Sequence, residues 1–562
     1  MRREVSVVNK KVCSFPILFA LLALLIGTCA VVFPASAQAA PTSTGSITVS
    51  GTVASSYDAY QIFSANVVDG DNGAKIATGF AWASDAVRDA ALPVLHSAGM
   101  PDSQTTAQEA AEWLNTDSHL TSALSAQLAR SLQSSGARPA ALNAGTTAEL
   151  PCGYWLIVAD DDAISQNEAG TAPIMALVGG SAVTVKPKAA TPKVAKHVLE
   201  DSTAAWQKAA DATVADDLYW RLSATVPAGL TAYDTYTVRF VDTMSAGLDP
   251  SKVAASMRVY VTAGAEGGFD AVSVGKDGRV GTEPAKGWTD ITAQCATKVA
   301  ADGTFTVRTG DLIAALGGAD AFTAGARVVA VYNAPLNSAC NHGIAKGNPN
   351  EVYLRYPRSP FADQSGDAGF TRTPSDDACA YTWDLALTKR GSDGDKPLAG
   401  AVLSIVDDRG RTLAADGKWD AEGKATVTTG EDGRVTVSGV DSGKLEVREL
   451  KAPKGYTAFE GTRSVTVKAE GLDVDQVTAA KPKLTIMADS PLRADSADGS
   501  TGSLEASLIN TPAGTPPSIT TGGFMPSTGD MAMYAVVAAA VAGAALIVVA
   551  LLVKRGGGSH KE

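Results

Sequence analysis

Short stretches in which apolar and polar residues alternate recur along most of the chain. Examples are "GSITVSGTV", "YTVRFVDTM" and "KLEVREL". Alternation with a period of two is typical of β-strands that have one buried face. The section from "TTAQEAAEWL" to "HLTSALSAQLARSLQ" instead has the period of amphipathic helices, with Ser, Thr and Asp residues placed as caps. The pattern therefore predicts a mainly β protein with helices added near its N-terminal end.

Two long apolar stretches lie near the ends of the chain. Residues 15–33 follow several basic residues and precede the small residues "ASAQAA", which is the order of a secretory signal peptide. Residues 531–553 are long enough for a membrane-spanning helix, and two cations follow at once. We predict a signal peptide at 1–40, a transmembrane helix at 530–553 and a cytoplasmic tail at 554–562. The part between them is then expected outside the cell.

The interior of the chain divides into three modules. The stretches "KPKAATPK" and "FADQSGDAGFTRTPSDDA" separate strand-rich regions and have the composition of linkers. We predict an N-terminal domain at 41–187, a linker at 188–193, a middle domain at 194–360, a linker at 361–380, a third domain at 381–512 and a polar stalk at 513–524.

Composition argues against several classes of function. The net charge of −12 does not suit nucleic-acid binding. The five histidines are scattered without metal-ligand spacing, and no G-x-S-x-G, phosphate-binding loop or CxxC motif occurs. We therefore expect no metal, no cofactor and no conventional enzyme active site.

Four cysteines remain after removal of the signal peptide, and an even number in an oxidising location permits disulfides. Cys295 and Cys340 are the predicted pair because both fall in the middle domain. Cys152 and Cys379 are left without an assigned partner.

Three strands of the third domain each direct one polar side chain toward the core. Lys389 shares strand parity with the apolar residues of "WDLALTKR", as Glu449 does in "KLEVREL" and Asn510 in "SLEASLIN". Burial favours a neutral amine and a protonated carboxyl. The amine could then attack the Asn510 carboxamide while Glu449 polarises it and moves protons, which would leave a Lys389–Asn510 amide. The alternatives are a buried salt bridge beside a hydrogen-bonded Asn, or strand lysines that face solvent.

The third domain also carries a family resemblance. The segments "LTKRGSDGDKPLAGAVLSI", "LEVRELKAPKGY" and "SLINTP" resemble the signature segments of the collagen-adhesin B-type domain of sortase-assembled pilins. Leu450 stands where this family commonly has Thr. The resemblance implies a Lys389–Asn510 isopeptide bond with Glu449 as the catalytic residue.

The middle domain repeats the pattern less regularly, with Lys196, Asp242 and Asn350 on the apolar parity of their strands. Its segments "FVDTMSAGL" and "VYNAPLNSACNHGIAKGNPNEVYLRY" resemble the isopeptide-forming middle domain of fimbrial shaft proteins. The resemblance implies a Lys196–Asn350 bond assisted by Asp242, with Asn337 as the alternative acceptor. "YDAYQIF" and "GTAPIMALVGG" are similar to the N-terminal domain of the same proteins. Tandem Ig-like β-sandwich domains, the first with added helices, are therefore the expected fold.

The stretch "MPSTG" resembles the sortase sorting signal Leu-Pro-x-Thr-Gly, with Met in the first position. The motif consists of Met525, Pro526, Ser527, Thr528 and Gly529. The resemblance implies that a sortase cuts between Thr528 and Gly529 and transfers the Thr528 acyl group to an amine. The alternative is an ordinary membrane-anchored protein in which this turn has no such role.

The stretch "VTVKPK" lies at the junction of the first two domains and resembles the pilin motif Val-Tyr-Pro-Lys. Lys188 matches the acceptor lysine of that motif, and Lys186 stands where Tyr would be. Lys188 is thus the expected sortase acceptor and Lys186 the alternative. A solvated basic linker without a role in polymerisation is the other interpretation.

Together these features resemble a Gram-positive major pilin of the three-domain kind. The resemblance implies a secreted adhesion fibre at the cell surface, covalently attached to the cell wall and stabilised by self-catalysed cross-links. The implied partners are a sortase, further copies of the chain, other pilins, peptidoglycan and an unknown host ligand. A monomeric wall-anchored adhesin, a cell-surface enzyme and an accessory pilin are the alternatives.

Overall fold

The computed structural model describes residues 43–514 except 117–118, 166, 171, 188–190, 228–229, 265–267, 277 and 323–325. The predicted signal peptide, sorting motif, membrane helix and tail lie outside these residues, as do Lys188 and nearly all of the stalk. Within the described ranges, no helix is long and apolar enough to cross a membrane.

The first domain packs helices against one of its two β-sheets. One sheet has the strand order β3-β2-β6-β7 with β4 also on β2, and the other has the order β5-β1-β8. Its elements are β1 (Thr44–Val49), β2 (Ser56–Asp69), β3 (Lys75–Trp82), α1 (Asp85–Ser97), α2 (Ala107–Asn115), α3 (Ser122–Gln133), β4 (Ala140–Asn143), β5 (Thr147–Pro151), β6 (Gly153–Ala159), β7 (Ile174–Val178) and β8 (Val183–Val185). Strand β6 is buried on both faces, since Trp155 contacts the cluster shared with β1 while Leu156 contacts the helices.

All three helices begin at a side-chain cap, and α2 and α3 lie in the section where the sequence predicts capped helices. Ser84 and Thr121 accept hydrogen bonds from the free N–H groups at the starts of α1 and α3. Thr106 and Glu109 form a capping box at the start of α2. Sequence and structure therefore agree that this domain has added helices.

The middle domain is a sandwich of two large sheets. Their strand orders are β10-β9-β12-β20-β14-β17 and β11-β23-β21-β13-β19-β18, and β22 pairs with β21. The elements are β9 (Val194–Glu200), β10 (Ala205–Gln207), β11 (Ala209–Asp211), β12 (Tyr219–Thr225), β13 (Arg239–Met244), α4 (Val253–Ser256), β14 (Arg258–Thr262), β15 (Val272–Val274), β16 (Val280–Pro284), β17 (Thr289–Asp290), β18 (Ala296–Val299), β19 (Thr304–Arg308), α5 (Leu312–Ala315), β20 (Arg327–Asn333), β21 (Asn348–Pro357), β22 (Phe370–Arg372) and β23 (Asp376–Tyr381). Apolar residues of both sheets, among them Trp220 and Phe240, share one core.

The third domain is also a two-sheet sandwich. One sheet has the order β29-β24-β35-β31 with β34 on β35, and the other has the order β27-β26-β25-β30-β32-β33 with β28 on β25. The strands are β24 (Trp383–Gly391), β25 (Val402–Val406), β26 (Thr412–Leu413), β27 (Trp419–Asp420), β28 (Val427–Thr428), β29 (Arg434–Val440), β30 (Gly443–Lys451), β31 (Tyr456–Thr457), β32 (Thr462–Glu470), β33 (Lys483–Ala488), β34 (Leu492–Asp498) and β35 (Ser503–Pro512). The mainly β architecture of tandem sandwiches is thus confirmed.

The segment 361–380, predicted to be a linker, differs from that expectation. It contains β22 and most of β23, which both pair with β21 of the middle domain. Ala378 and Ala380 point into the middle-domain core, and only Thr382 separates β23 from β24. The strand begins with two half-buried acidic residues, Asp376 and Asp377, which give this part of the segment the composition of a linker.

Side chains also join the middle domain to the third. One carboxylate oxygen of Asp211 accepts hydrogen bonds from the Trp383 indole at 2.6 Å and from the Ser442 backbone at 2.9 Å. Arg411 forms a bidentate ion pair with Asp216. These contacts hold β24 directly against the end of the preceding domain.

The predicted Cys295–Cys340 disulfide is not formed, and all four cysteines in the described ranges are free thiols. Cys295 follows a short 3-10 turn and directs its sulfur at the Ile291 carbonyl, 3.3 Å away. The Cys340 sulfur lies instead 3.6 Å from a His342 ring nitrogen. The prediction was wrong because membership of one domain does not by itself bring two cysteines within the reach of a disulfide.

Gly153 offers a test of the first domain. Its φ is +147°, and a Cβ there would lie 2.0 Å from the Phe63 carbonyl oxygen, beside an irregularity in the β2–β6 pairing. We expect Gly153→Ala to destabilise this domain by about 2–3 kcal/mol, because backbone must move. Gly136→Ala is the matched control, since an added Cβ at Gly136 meets nothing within 4 Å. Hydrogen exchange of β2 and β6 in the whole ectodomain measures the effect, and equal protection in both variants would contradict it.

Candidate functional site

The third domain gathers a lysine, a glutamate and an asparagine in its core. Lys389 lies on β24 and Asn510 on β35, and these first and last strands are parallel neighbours in one sheet. Glu449 reaches them from β30 in the facing sheet. Its Oε1 atom lies 3.4 Å from Lys389 Nζ and accepts a hydrogen bond of 2.9 Å from Asn510 Nδ2. One carboxylate oxygen therefore contacts both groups that an amide bond would join.

Burial dominates the electrostatics of this cluster, since the Lys389 and Glu449 side chains have no exposed surface. Desolvation lowers the pKa of Lys389 to about 8, against the opposing effect of Glu449. The second oxygen of Glu449 accepts a hydrogen bond from the Phe459 backbone at 3.1 Å. The Asn510 carbonyl oxygen has no hydrogen-bond partner in the part of the chain described. The lowered pKa of Lys389 thus increases the fraction of neutral amine near physiological pH, although the ammonium form still predominates.

The middle domain holds a second cluster, which is equally buried. Lys196 lies on β9 in one sheet, while Asp242 on β13 and Asn350 on β21 lie in the other. Lys196 Nζ is paired with Asp242 Oδ2. It also donates to the Tyr332 hydroxyl at 3.0 Å, and Asn350 Nδ2 donates to the same hydroxyl at 2.8 Å. Four buried polar groups from four strands therefore meet at one point.

The pKa shifts in this cluster have the same cause. Burial lowers the pKa of Lys196 to about 8 and raises the pKa of Asp242 above its ordinary range. The Tyr332 pKa is held well above 10 by burial and by the charge of Asp242. Asp242 Oδ1 and Asn350 Oδ1 have no hydrogen-bond partner within the described ranges. Burial thus favours the neutral forms of Lys196 and Asp242, an amine and a carboxylic acid, while the attraction between their charges opposes this shift.

Tyr332 is the member of the cluster that sequence reasoning missed. The stretch "VVAVYN" contains the signal, because Tyr332 shares parity with Val328 and Ala330, which are both fully buried. An aromatic residue on the apolar parity of a strand is usually ordinary core. Only the contacts of its hydroxyl distinguish it.

The two candidate acceptor asparagines occupy different environments. Asn350 is fully buried beside Lys196 and Tyr332. Asn337 lies in a partly exposed turn, where its side chain donates to the Ala246 and Leu248 carbonyls and accepts from the Ala339 backbone. The side chain of Asn337 thus uses its hydrogen bonds within the turn, whereas Asn350 lies beside the titratable side chains of the buried cluster.

The structure describes only some of the residues that are predicted to take part in polymerisation. Lys186 follows β8 and is exposed. Strand β8 pairs in parallel with β1, so the backbone that leads to this lysine is anchored in the first domain. Lys188 and the residues Met525, Pro526, Ser527, Thr528 and Gly529 lie outside the described residues.

Parts of the chain are similar to known proteins. The family model for SpaA, a prealbumin-like fold domain, matches residues 384–481. The trypsin-resistant surface T6 protein of Streptococcus pyogenes is 30% identical over 162 residues. That match covers 27% of this chain and 28% of the relative, so the chain spans less than a third of that relative's length.

Solved structures similar to the chain include two backbone pilins. The T6 backbone pilin of Streptococcus pyogenes has a TM-score of 0.45 and 17% identity, covering 84% of this chain and 98% of that one. The full-length major pilin SpaD from Corynebacterium diphtheriae has a TM-score of 0.40 and 15% identity, with 84% and 98% covered. The SpaA match lies within the third domain, where the sequence motifs carry the resemblance to sortase-assembled pilins.

The lowered pKa of Lys389 predicts a pH dependence in a chain that cannot form the amide, such as Asn510→Ala. The folded pKa of about 8 lies below the ordinary 10.5, so between these values the unfolded chain binds more protons. The free energy of unfolding of the third domain should therefore rise with pH. The expected gain from pH 7 to 9.5 is about 2 kcal/mol.

Urea unfolding followed by pulse proteolysis, with detection of third-domain fragments, measures this gain. The control is the double variant Lys389→Met/Asn510→Ala, in which the other titrating groups are unchanged. Equal pH slopes in the two variants would show that Lys389 is not buried as a free amine.

Proposed function

We propose that this chain, in which residues 384–481 match the SpaA prealbumin-like domain, is the shaft subunit of a covalently polymerised surface pilus that supports adhesion. The observation that carries the proposal is the presence of two buried Lys–carboxyl–Asn clusters in tandem sandwich domains. A globular binding protein has no evident need for two such clusters, because buried charges are costly and apolar replacements are often as stable.

Each cluster has the groups that amide formation requires. A neutral lysine amine attacks the asparagine Cγ, the Cγ–Nδ2 bond breaks and ammonia leaves with the proton that the amine gives up. Glu449 would move these protons between Lys389 and Asn510, and Asp242 would act between Lys196 and Asn350. The chain acts only on itself in these reactions and is not an enzyme for a separate substrate.

The cross-links would strengthen the domains in two ways. A Lys389–Asn510 bond joins the first and last strands of the third domain, so tension along the fibre bypasses the hydrogen bonds between them. Each bond also closes a loop of roughly 120–150 residues, which is worth about 5 kcal/mol by the entropy argument used for disulfides. Resistance to force, heat and protease suits a fibre that holds a cell to a surface.

Polymerisation would use two separate sites on the extracellular part: the sorting motif at its C-terminal end and a lysine at the junction of the first two domains. Sortase would cleave the motif Met525–Pro526–Ser527–Thr528–Gly529 after Thr528 and transfer the acyl group to Lys188 of the next copy, with Lys186 as the alternative. Each copy then donates once and accepts once, which gives an open head-to-tail fibre. The partners implied are sortase, other copies, other pilins, the peptidoglycan that anchors the fibre to the wall and a host ligand of unknown identity.

A denaturing gel of cell-wall extracts from the native organism tests the polymer directly. We expect a ladder of very large species in the parent strain and its collapse to monomer in a Lys188→Ala strain, because the acceptor amine is lost. Lys186→Ala is the matched control, since it removes a neighbouring cation and leaves the acceptor in place.

Two other results would change the assignment. A ladder that persists in Lys188→Ala and collapses in Lys186→Ala would move the acceptor to Lys186. A single monomer band in the parent strain would identify a monomeric wall-anchored adhesin and contradict the shaft role.

A further inference from the structure

The two clusters differ in how the carboxyl group reaches the asparagine. In the third domain, Glu449 Oε1 contacts Lys389 and Asn510 directly. In the middle domain, Asp242 pairs with Lys196, but the Asn350 amide nitrogen contacts the Tyr332 hydroxyl instead. The Tyr332 hydroxyl in turn donates to Asp242 Oδ2 at 3.1 Å. A tyrosine therefore stands between carboxyl and carboxamide in one domain only.

The three hydrogen bonds at Tyr332 use the full capacity of its hydroxyl. A phenolic oxygen carries one proton to donate and two lone pairs that accept. Here it donates to Asp242, 3.1 Å away, and accepts from Lys196 at 3.0 Å and Asn350 at 2.8 Å. Every partner of the hydroxyl is a group that the proposed cross-linking reaction changes or protonates.

We propose that Tyr332 is a catalytic residue of the middle domain, whose hydroxyl passes a proton from Asp242 to the nitrogen that leaves Asn350. The proposal rests on the amide formation described under the proposed function and adds the group that moves the second proton. The third domain needs no such group, because the longer side chain of Glu449 reaches the asparagine itself.

The reaction balances with the groups present. It starts from a neutral Lys196 amine and a protonated Asp242. Nζ bonds to the Cγ of Asn350, which becomes tetrahedral, and gives one proton to Asp242. Nδ2 thereby loses its amide resonance and becomes an acceptor, so the Tyr332 hydroxyl turns from Asp242 to Nδ2. The Asp242 carboxyl proton then moves onto the Tyr332 oxygen as the phenol proton moves onto Nδ2. The Cγ–Nδ2 bond breaks and ammonia leaves. Asp242 ends protonated, Tyr332 ends as a phenol, and the products are one secondary amide and one ammonia.

The surroundings of Tyr332 suit this relay. Its ring packs edge-on against Phe305 with the centroids 4.9 Å apart, and the residue is fully buried on β20. Its pKa is held well above 10, so the group stays a phenol and passes a proton on in one concerted exchange. Water cannot compete for the proton in a site from which it is excluded.

A purely structural role for Tyr332 would need only the ring, and the substitutions are chosen accordingly. Tyr332→Phe keeps the ring and removes the hydroxyl. The matched control is Tyr236→Phe, because Tyr236 is also buried in the middle-domain core and its hydroxyl has no hydrogen-bond partner among the described residues. The third-domain cross-link is an internal reference within each molecule.

The experiment follows cross-linking during cell-free synthesis of the whole ectodomain. Samples are quenched in acid at intervals and digested, and the cross-linked peptides of each domain are quantified by mass spectrometry. In Tyr332→Phe we expect the Lys196–Asn350 peptide to form at least about 100-fold more slowly, the usual scale for losing an acid–base group. Tyr236→Phe should match the wild type, and the Lys389–Asn510 peptide should form normally in all three proteins.

Wild-type kinetics in Tyr332→Phe would overturn the proposal and leave the proposed function intact. Absence of the Lys196–Asn350 peptide from the wild type would overturn both for this domain.

A second measurement covers the case in which Tyr332→Phe fails to fold. Site-specific replacement of Tyr332 by a fluorotyrosine keeps the shape of the side chain and makes its hydroxyl more acidic. We expect the middle-domain rate to change, whereas an unchanged rate would contradict a proton-transfer role.

Discussion

The free-energy cost of burying a lysine amine is the constraint on which the two sandwiches depend. A charged ammonium without water is stable only when it is paired and hydrogen-bonded, and otherwise it gives up its proton. Lys389 and Lys196 both have pKa values lowered to about 8 by burial, and each lies against a carboxyl group and an asparagine. In the proposed cross-linking, the packing that excludes water would also activate the lysine as a nucleophile, so folding of the sandwich would start the reaction.

The two domains meet this constraint with different topologies. In the third domain, lysine and asparagine lie on adjacent parallel strands of one sheet, and Glu449 approaches from the other. In the middle domain, Lys196 and Asn350 lie in opposite sheets, so a bond there would tie the sandwich together across its core. The proposed shaft would therefore carry load through a strand-to-strand bond in one domain and a sheet-to-sheet bond in the next.

Strand parity was sufficient to predict that the three polar side chains of the third-domain cluster are buried. Lys389, Glu449 and Asn510 could be assigned to the buried face because apolar and polar residues alternate regularly along their strands. All three side chains are buried in the structure. Parity could not reveal the role of Tyr332, because a buried aromatic ring is unremarkable until the partners of its hydroxyl are known. Strand β23 was not predicted because it begins with two acidic residues. The Cys295–Cys340 pairing failed because it was based only on membership of one domain.

The intact mass of the purified ectodomain, with fragment spectra to locate each link, tests the central claim most directly. Two amide bonds should lower the mass by about 34 Da, since each releases one ammonia. The fragments should join Lys196 to Asn350 and Lys389 to Asn510. An ectodomain at its full calculated mass, with all four side chains unmodified, would contradict the account.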